Sequence, residues 1–193
     1  MKIVGVGCGP GQLTPDAVRS IAGADEVFGS ARAIALALQA IRPGCPVHEI
    51  CDYRALRSLG PGAVVLSTGD PMLSGLGYLP GEIVPGISSL QVALARLHLS
   101  WTRVTVLSAH GRDHAAAISA AVSEVRRERV AFLVADPTFP VPLLAKSLKS
   151  LGEGIRVAVC ENLGYPEERV EVGIPSVPPV VQSSLFVVLC GRF

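Results

Sequence analysis

The sequence predicts an α/β fold in two domains, with a mostly parallel sheet in residues 1–100 and a mixed sheet in residues 101–193. Three observations carry this. Short apolar, β-branched runs alternate with helical patterns through the first half, as parallel β–α–β units require. The run Val64-Val65-Leu66-Ser67, bounded by Gly62 and Gly69, reads as a buried central strand that stops at the corner Gly69-Asp70-Pro71. The helical pattern lapses over residues 98–102, and the second half finishes with two strands, residues 169–172 and 185–189. No helical pattern separates these two, so they read as antiparallel hairpins.

In chain order, the first strand falls at residues 3–6 and runs into a glycine-dense loop at residues 7–11. Thr14-Pro15-Asp16 opens a helix: Thr14 caps it, and Pro15 takes the first position, where its missing N–H is harmless. Val18, Ile21 and Ala22 form the apolar stripe, and Gly23 ends it. Glu26-Val27-Phe28-Gly29 is a short strand, and Ser30 caps an alanine- and leucine-rich helix reaching Ile41. A strand at residues 47–50 leads to a helix near residues 53–59 and then to the central strand. Beyond the corner come a strand at residues 82–84, the turn Pro85-Gly86 and a helix over residues 88–97. Trp101 introduces a strand at residues 103–107. A helix (113–127), a strand (130–134), a helix (141–151) and a strand (155–160) follow.

Composition excludes several classes. The 193 residues are 49% hydrophobic and 17% charged, which describes a well-buried chain and not a disordered one. Seventeen Lys and Arg oppose sixteen Asp and Glu, a formal net charge of +1, so nothing electrostatic favours nucleic acid or an anionic membrane. No apolar run reaches the roughly 18 residues of a membrane span. Met1-Lys2-Ile3-Val4-Gly5 begins a strand, not a secretion signal. Cys8, Cys45, Cys51, Cys160 and Cys190 form no paired motif, which points to reduced, mostly buried thiols in a cytoplasmic protein. Scattered histidines add no ligand spacing, so no metal is expected.

Five segments stand between functional and ordinary readings. Gly5-Val6-Gly7-Cys8-Gly9-Pro10-Gly11 fails the dinucleotide fingerprint on spacing, because the sixth position is Pro10 from Gly5 and Gln12 from Gly7. Its glycines imply close approach of backbone to another segment or to a flat ligand. At the corner, Gly69 permits unusual backbone angles and Asp70 bonds downstream amides. Ligands of α/β sheets bind beyond the carboxyl ends of strands, where this corner sits, although a plain strand-to-helix turn explains the same residues. In Pro85-Gly86-Ile87-Ser88-Ser89, Ser88 serves as an N-cap, and the amides and hydroxyls there suit a polar ligand. His110 and Arg112 of Ser108-Ala109-His110-Gly111-Arg112 suit carboxylates or form a solvated loop, and Glu161-Asn162-Leu163-Gly164 reads as a polar turn.

Taken in order, the glycine loop, Gly69-Asp70-Pro71 with Gly75, and Pro85-Gly86-Ile87-Ser88-Ser89 resemble the signatures of the tetrapyrrole methylase family over essentially the full length. Leu13-Thr14-Pro15-Asp16-Ala17, Trp101, Ser108-Ala109-His110-Gly111-Arg112, and Glu161-Asn162-Leu163-Gly164 with Pro166-Glu167-Glu168 resemble the branch that methylates C5 of a corrin precursor in cobalamin biosynthesis. Cys8-Gly9 departs from the family pattern as an insertion before Pro10-Gly11. The resemblance implies a two-domain tetrapyrrole methylase-like fold and S-adenosyl-L-methionine as methyl donor, held in a trough between the domains and leaving as S-adenosyl-L-homocysteine. By motif, it places Gly69, Asp70, Met72, Ser88, Ser89, Ala135 and Leu163 at the cofactor. Gly7, Pro10, Gly11, His110 and Arg112 fall at the carboxylate-ringed tetrapyrrole.

Methyl transfer to an electron-rich carbon then rests on in-line placement in a water-poor site, with Asp70 as candidate for an electrostatic or proton-handling role or for structural service at its turn. The family further implies a homodimer. The decarboxylating C15-methyltransferase fused behind some relatives would be a separate protein here. A non-catalytic tetrapyrrole carrier, a methylase of another ring carbon and a diphthine synthase-like enzyme are the alternatives.

Overall fold

In the computed structural model, which describes residues 1–111 and 113–193, the chain divides into two compact units, Met1–Gln91 and Val92–Phe193. The first holds β1 (Lys2–Gly5), α1 (Pro15–Ala22), β2 (Glu26–Gly29), α2 (Ala31–Ala37), β3 (Val47–Glu49), β4 (Ala63–Ser67), α3 (Pro71–Ser74) and β5 (Glu82–Val84). The division between the units falls inside α4 (Ser89–Leu97). The second unit continues with β6 (Val104–Ala109), α5 (His114–Arg126), β7 (Val130–Ala135), α6 (Val141–Leu148), β8 (Arg156–Glu161), β9 (Arg169–Gly173) and β10 (Phe186–Gly191). The α/β class expected from sequence is the class observed, with one parallel and one mixed sheet.

The first sheet has the order β3-β2-β4-β1-β5, every pairing parallel. Its central strands are apolar on both sides because helices and turns cover both faces. Val4, Val64, Leu66 and Val84 pack with Ala17 and Ile21 of α1 and Ala33 and Ala37 of α2. Ile3 and Val65, on the opposite face, pack with Leu56 and Leu79. Each buried Val, Leu or Ile among them contributes roughly 1.5–3 kcal/mol relative to exposure. The helix starts follow the sequence: Thr14 Oγ1 accepts from the Ala17 amide at 3.1 Å, and Ser30 Oγ from the Ala33 amide at 3.3 Å.

The second sheet has the order β6-β7-β10-β8-β9. β6 and β7 are parallel, and the remaining pairs are antiparallel. Helices α5 and α6 cover one face through Ile118, Ala121, Val125, Leu144 and Leu148. Because β10 runs antiparallel to both β7 and β8, these two share one direction, and their carboxyl ends lie on the same edge as that of β6.

Four expectations need correction. The last strand forms no hairpin with β9: it inserts between β7 and β8, and all six of its residues are buried. The helix expected near residues 53–59 is a single 3-10 turn, Ala55–Ser58, since only Leu56 there reaches the core. Trp101 does introduce a strand, but from the 3-10 turn Trp101–Arg103, capped by Ser100, where it lies 57% exposed; the strand starts at Val104, one residue later than expected. Of the thiols only Cys160 and Cys190 are buried, and burial pushes each up to about 12; Cys51 is exposed. Among the described residues, no helix is long and apolar enough to cross a membrane.

Candidate functional site

Three loops meet at the carboxyl edge of the parallel sheet, and glycine is what lets them meet. The Gly69 amide donates to Gly7 O at 2.7 Å, and the Gly7 amide returns to Gly69 O at 3.3 Å, joining the exits of β1 and β4. A Cβ on Gly5 would stand 2.6 Å from the Gly86 nitrogen, and one on Gly86 would collide with Gly69 O. The close approach foreseen for these glycines is therefore to other backbone, with the exits of β1, β4 and β5 in mutual contact. Gly69 itself adopts φ +69°, and a Cβ there would meet only Ser88 Cα, at 3.8 Å.

Asp70 fastens the cluster. It is the N-cap of α3: Oδ1 accepts from the Met72 amide at 2.8 Å, while Oδ2 accepts from the Gly86 amide at 3.1 Å. Both oxygens thus serve the turn. Met72, one residue beyond Pro71, is 68% exposed. Ser88 and Gln91 form a reciprocal capping box at the start of α4. The Ser88 amide and hydroxyl both donate to Gln91 Oε1, at 2.6 and 2.8 Å, and the Gln91 amide donates back to Ser88 Oγ at 3.3 Å. Ser88 is buried by this arrangement, and Ser89 follows it half-buried.

The departure at Cys8-Gly9 has a local partner. Gln12 Oε1 accepts from the Cys8 amide at 2.9 Å and the Gly9 amide at 3.1 Å, curling the loop onto its own side chain. Gly7 is buried against Gln12, whereas Pro10 and Gly11 are exposed.

In the second unit the organising residue is Asp136, which directly follows β7. Oδ1 accepts the Thr138 amide at 2.8 Å and the Thr138 hydroxyl at 2.6 Å. Oδ2 accepts the Gly111 amide at 2.8 Å and lies 3.0 Å from His114 Nε2. The Thr138 hydroxyl, His114 and the Gly111 amide hold its carboxyl well below the usual carboxylate range despite its burial. It ties the exit loop of β6, which carries the exposed His110, to the exit of β7. Ala135, paired with Ala109 in register, ends β7 half-buried just before it. Arg112 lies outside the described residues.

Glu161, at the end of β8, is 1% exposed. Burial pushes its carboxyl up, but the Gln182 and Ser183 amides and Arg169 outweigh that, so the net displacement is downward. The turn expected at residues 161–164 thus begins on a buried, fully engaged acid. Leu163 is buried within it, on the sheet edge that also carries Ala135.

The structure thus gathers Gly7, Gly69, Asp70, Ser88 and Ser89 along one sheet's carboxyl edge, with His110, Ala135 and Leu163 along the second sheet's corresponding edge. Sequence reasoning missed Asp136, Gln91 and Gln12. For the first two a signal existed: Asp136-Pro137 repeats the strand–Asp–Pro pattern of Asp70-Pro71, and Ser88 with Gln91 has capping-box spacing.

Comparison with known proteins gives this arrangement a lineage. The chain is 27% identical over 184 residues to the cobalt-precorrin-7 C(5)-methyltransferase of Salmonella typhimurium, covering 88% of each chain. It is 28% identical over 197 residues to the probable cobalt-precorrin-7 C(5)-methyltransferase of Methanocaldococcus jannaschii, covering 86% of each. The crystal structure of the precorrin-6Y methylase of cobalamin biosynthesis from Archaeoglobus fulgidus superposes with a TM-score of 0.77 at 29% identity, over all of this chain and 98% of that one. The family model described as Tetrapyrrole (Corrin/Porphyrin) Methylases matches residues 2–174, a span that takes in both sheets up to β9 and every loop described above. This chain belongs to the tetrapyrrole methylases.

Proposed function

We propose that this protein is an S-adenosyl-L-methionine-dependent C-methyltransferase of corrin biosynthesis that methylates C5 of cobalt-precorrin-7 or a precorrin-6Y-type intermediate. The observation that carries the reading is the locked cluster of three strand exits around Gly69, Asp70 and Gly86, in a chain of this family.

The residues present fit the donor. A Cβ at Gly69 would enter nearly open space at the corner, next to Ser88, and the half-buried Ser89 follows at the start of α4, polar groups suited to a nucleoside and an amino-acid carboxylate. When bound, the donor supplies a methyl group already activated on a sulfonium. Gly69, Asp70, Met72, Ser88 and Ser89 are assigned to hold it, with Ala135 and Leu163 from the second sheet's edge. Gly7, Pro10, Gly11, His110 and Arg112 are assigned to the tetrapyrrole. With both oxygens on amides, Asp70 is read as the residue that positions the corner and not as a proton carrier. Holding the acceptor carbon in line at about 3–3.5 Å, with water kept out, is the main catalytic contribution asked of the chain. The reading includes a homodimer, a cytoplasmic setting and a separate protein for the C15 step.

Calorimetric titration with S-adenosyl-L-homocysteine tests it. The parent protein binds, and Asp70→Ala, which frees the Met72 and Gly86 amides, weakens binding about tenfold or more while the far-UV spectrum is retained. Absence of binding to the parent contradicts the reading and leaves a tetrapyrrole carrier in its place.

A further inference from the structure

We propose that Arg32 and Thr68 form a carboxylate subsite at the corner, which seats one acidic side chain of the tetrapyrrole. The proposal rests on the reading of this chain as a methylase of a carboxylate-bearing macrocycle. β2 and β4 are adjacent parallel strands, with Phe28 opposite Val65, so both exit at the same edge. Arg32 stands in α2 two residues past its cap Ser30, and its guanidinium crosses from the exit of β2 to Thr68 Oγ1 at 3.3 Å. Thr68 immediately precedes Gly69-Asp70.

Among the described residues, no acid pairs with Arg32. Of the other described cations in the first unit, Lys2 faces Glu82, Arg19 faces Asp16, Arg42 faces Asp25, and Arg57 lies over the Tyr78 ring. Arg54, before the 3-10 turn Ala55–Ser58, has no described ion pair either, but Arg32 is the one that reaches the exit of β4. The acid nearest in sequence to Thr68, Asp70, has both oxygens committed to amides. Arg32 is exposed, and its described bond is to a neutral hydroxyl. An exposed guanidinium presents several N–H donors in a planar fork whose complement is a carboxylate. A hydroxyl holding the fork at the corner gives the carboxylate a second polar partner and fixes where it sits. The subsite would anchor the macrocycle by its rim.

The experiment titrates the protein with uroporphyrin III, a stable polycarboxylate tetrapyrrole, and with S-adenosyl-L-homocysteine in parallel. Arg32→Gln weakens uroporphyrin binding about tenfold or more, Arg32→Lys weakens it less, and the salt dependence of binding becomes shallower in the glutamine variant. Affinity for S-adenosyl-L-homocysteine stays within about twofold of the parent and the melting temperature is unchanged, because the substituted side chain is on the surface. Thr68→Val, which keeps the charge and removes its anchor, gives a smaller loss in the same direction. An Arg32→Gln variant that binds uroporphyrin as the parent does overturns the subsite, as does a parent that does not bind it. Failure of the parent to bind S-adenosyl-L-homocysteine instead contradicts the methyl-transfer reading, and that result is read separately.

Discussion

Asp136 and Asp70 solve the same local problem in the two units. Each follows a strand, precedes a proline and accepts the amide two residues ahead at 2.8 Å with one oxygen. Each gives the other oxygen to a glycine amide of another strand's exit loop, Gly86 for Asp70 and Gly111 for Asp136. Asp136 adds the Thr138 hydroxyl and His114, and these bonds favour its ionised form. A carboxyl held below its unfolded value stabilises the fold above that value, about pH 4, and the contribution is lost as pH falls from there toward the folded value. Urea unfolding at pH 7 therefore finds Asp136→Asn less stable than the parent, and the gap narrows by pH 3, where the parent has begun to lose this contribution. A gap of constant size at both pH values would contradict this account. The Asp-Pro pair was visible in the sequence at both positions. What it did not show at Asp136 is that donors from residues 111, 114 and 138 converge on one side chain, because that depends on the pairing of β6 with β7.

Among the elements, the three strand exits depend on two glycines for different reasons. Gly86→Ala would push a Cβ onto Gly69 O and the Gly5 backbone, whereas Gly69→Ala meets nothing closer than 3.8 Å and is opposed only by φ +69°. Denaturant unfolding should show Gly86→Ala costing about 3 kcal/mol or more, the upper end of overpacking, because the atoms in its way are backbone. Gly69→Ala should cost the roughly 1–2 kcal/mol of a left-handed side chain. Equal losses, or the reverse order, would contradict the proposed packing. The caps of α1 and α2 were legible because Thr14 and Ser30 act on amides three residues away in their own helices. The place of β10 was not, since its apolar run suits an edge or a centre equally and only its two partners decide between them. The turn at residues 55–58 was overread as a helix because local propensity was not matched by a buried face beyond Leu56.

For the whole molecule, alternating patterns were enough to specify a parallel sheet followed by a mixed one, and the order of weak motifs along the chain was enough to indicate the family. Regiochemistry is a different matter: no single described residue on either sheet edge selects a ring carbon by its own chemistry, so C5 rests on the likeness to relatives named for it. The most direct measurement is therefore the product itself. Cobalt-precorrin-7 is incubated with the protein and S-adenosyl-L-methionine carrying a carbon-13 methyl group, and the product is read by NMR. The account predicts one labelled methyl group, bonded to C5. A label on any other carbon, or no transfer by a protein that binds S-adenosyl-L-homocysteine, would contradict it.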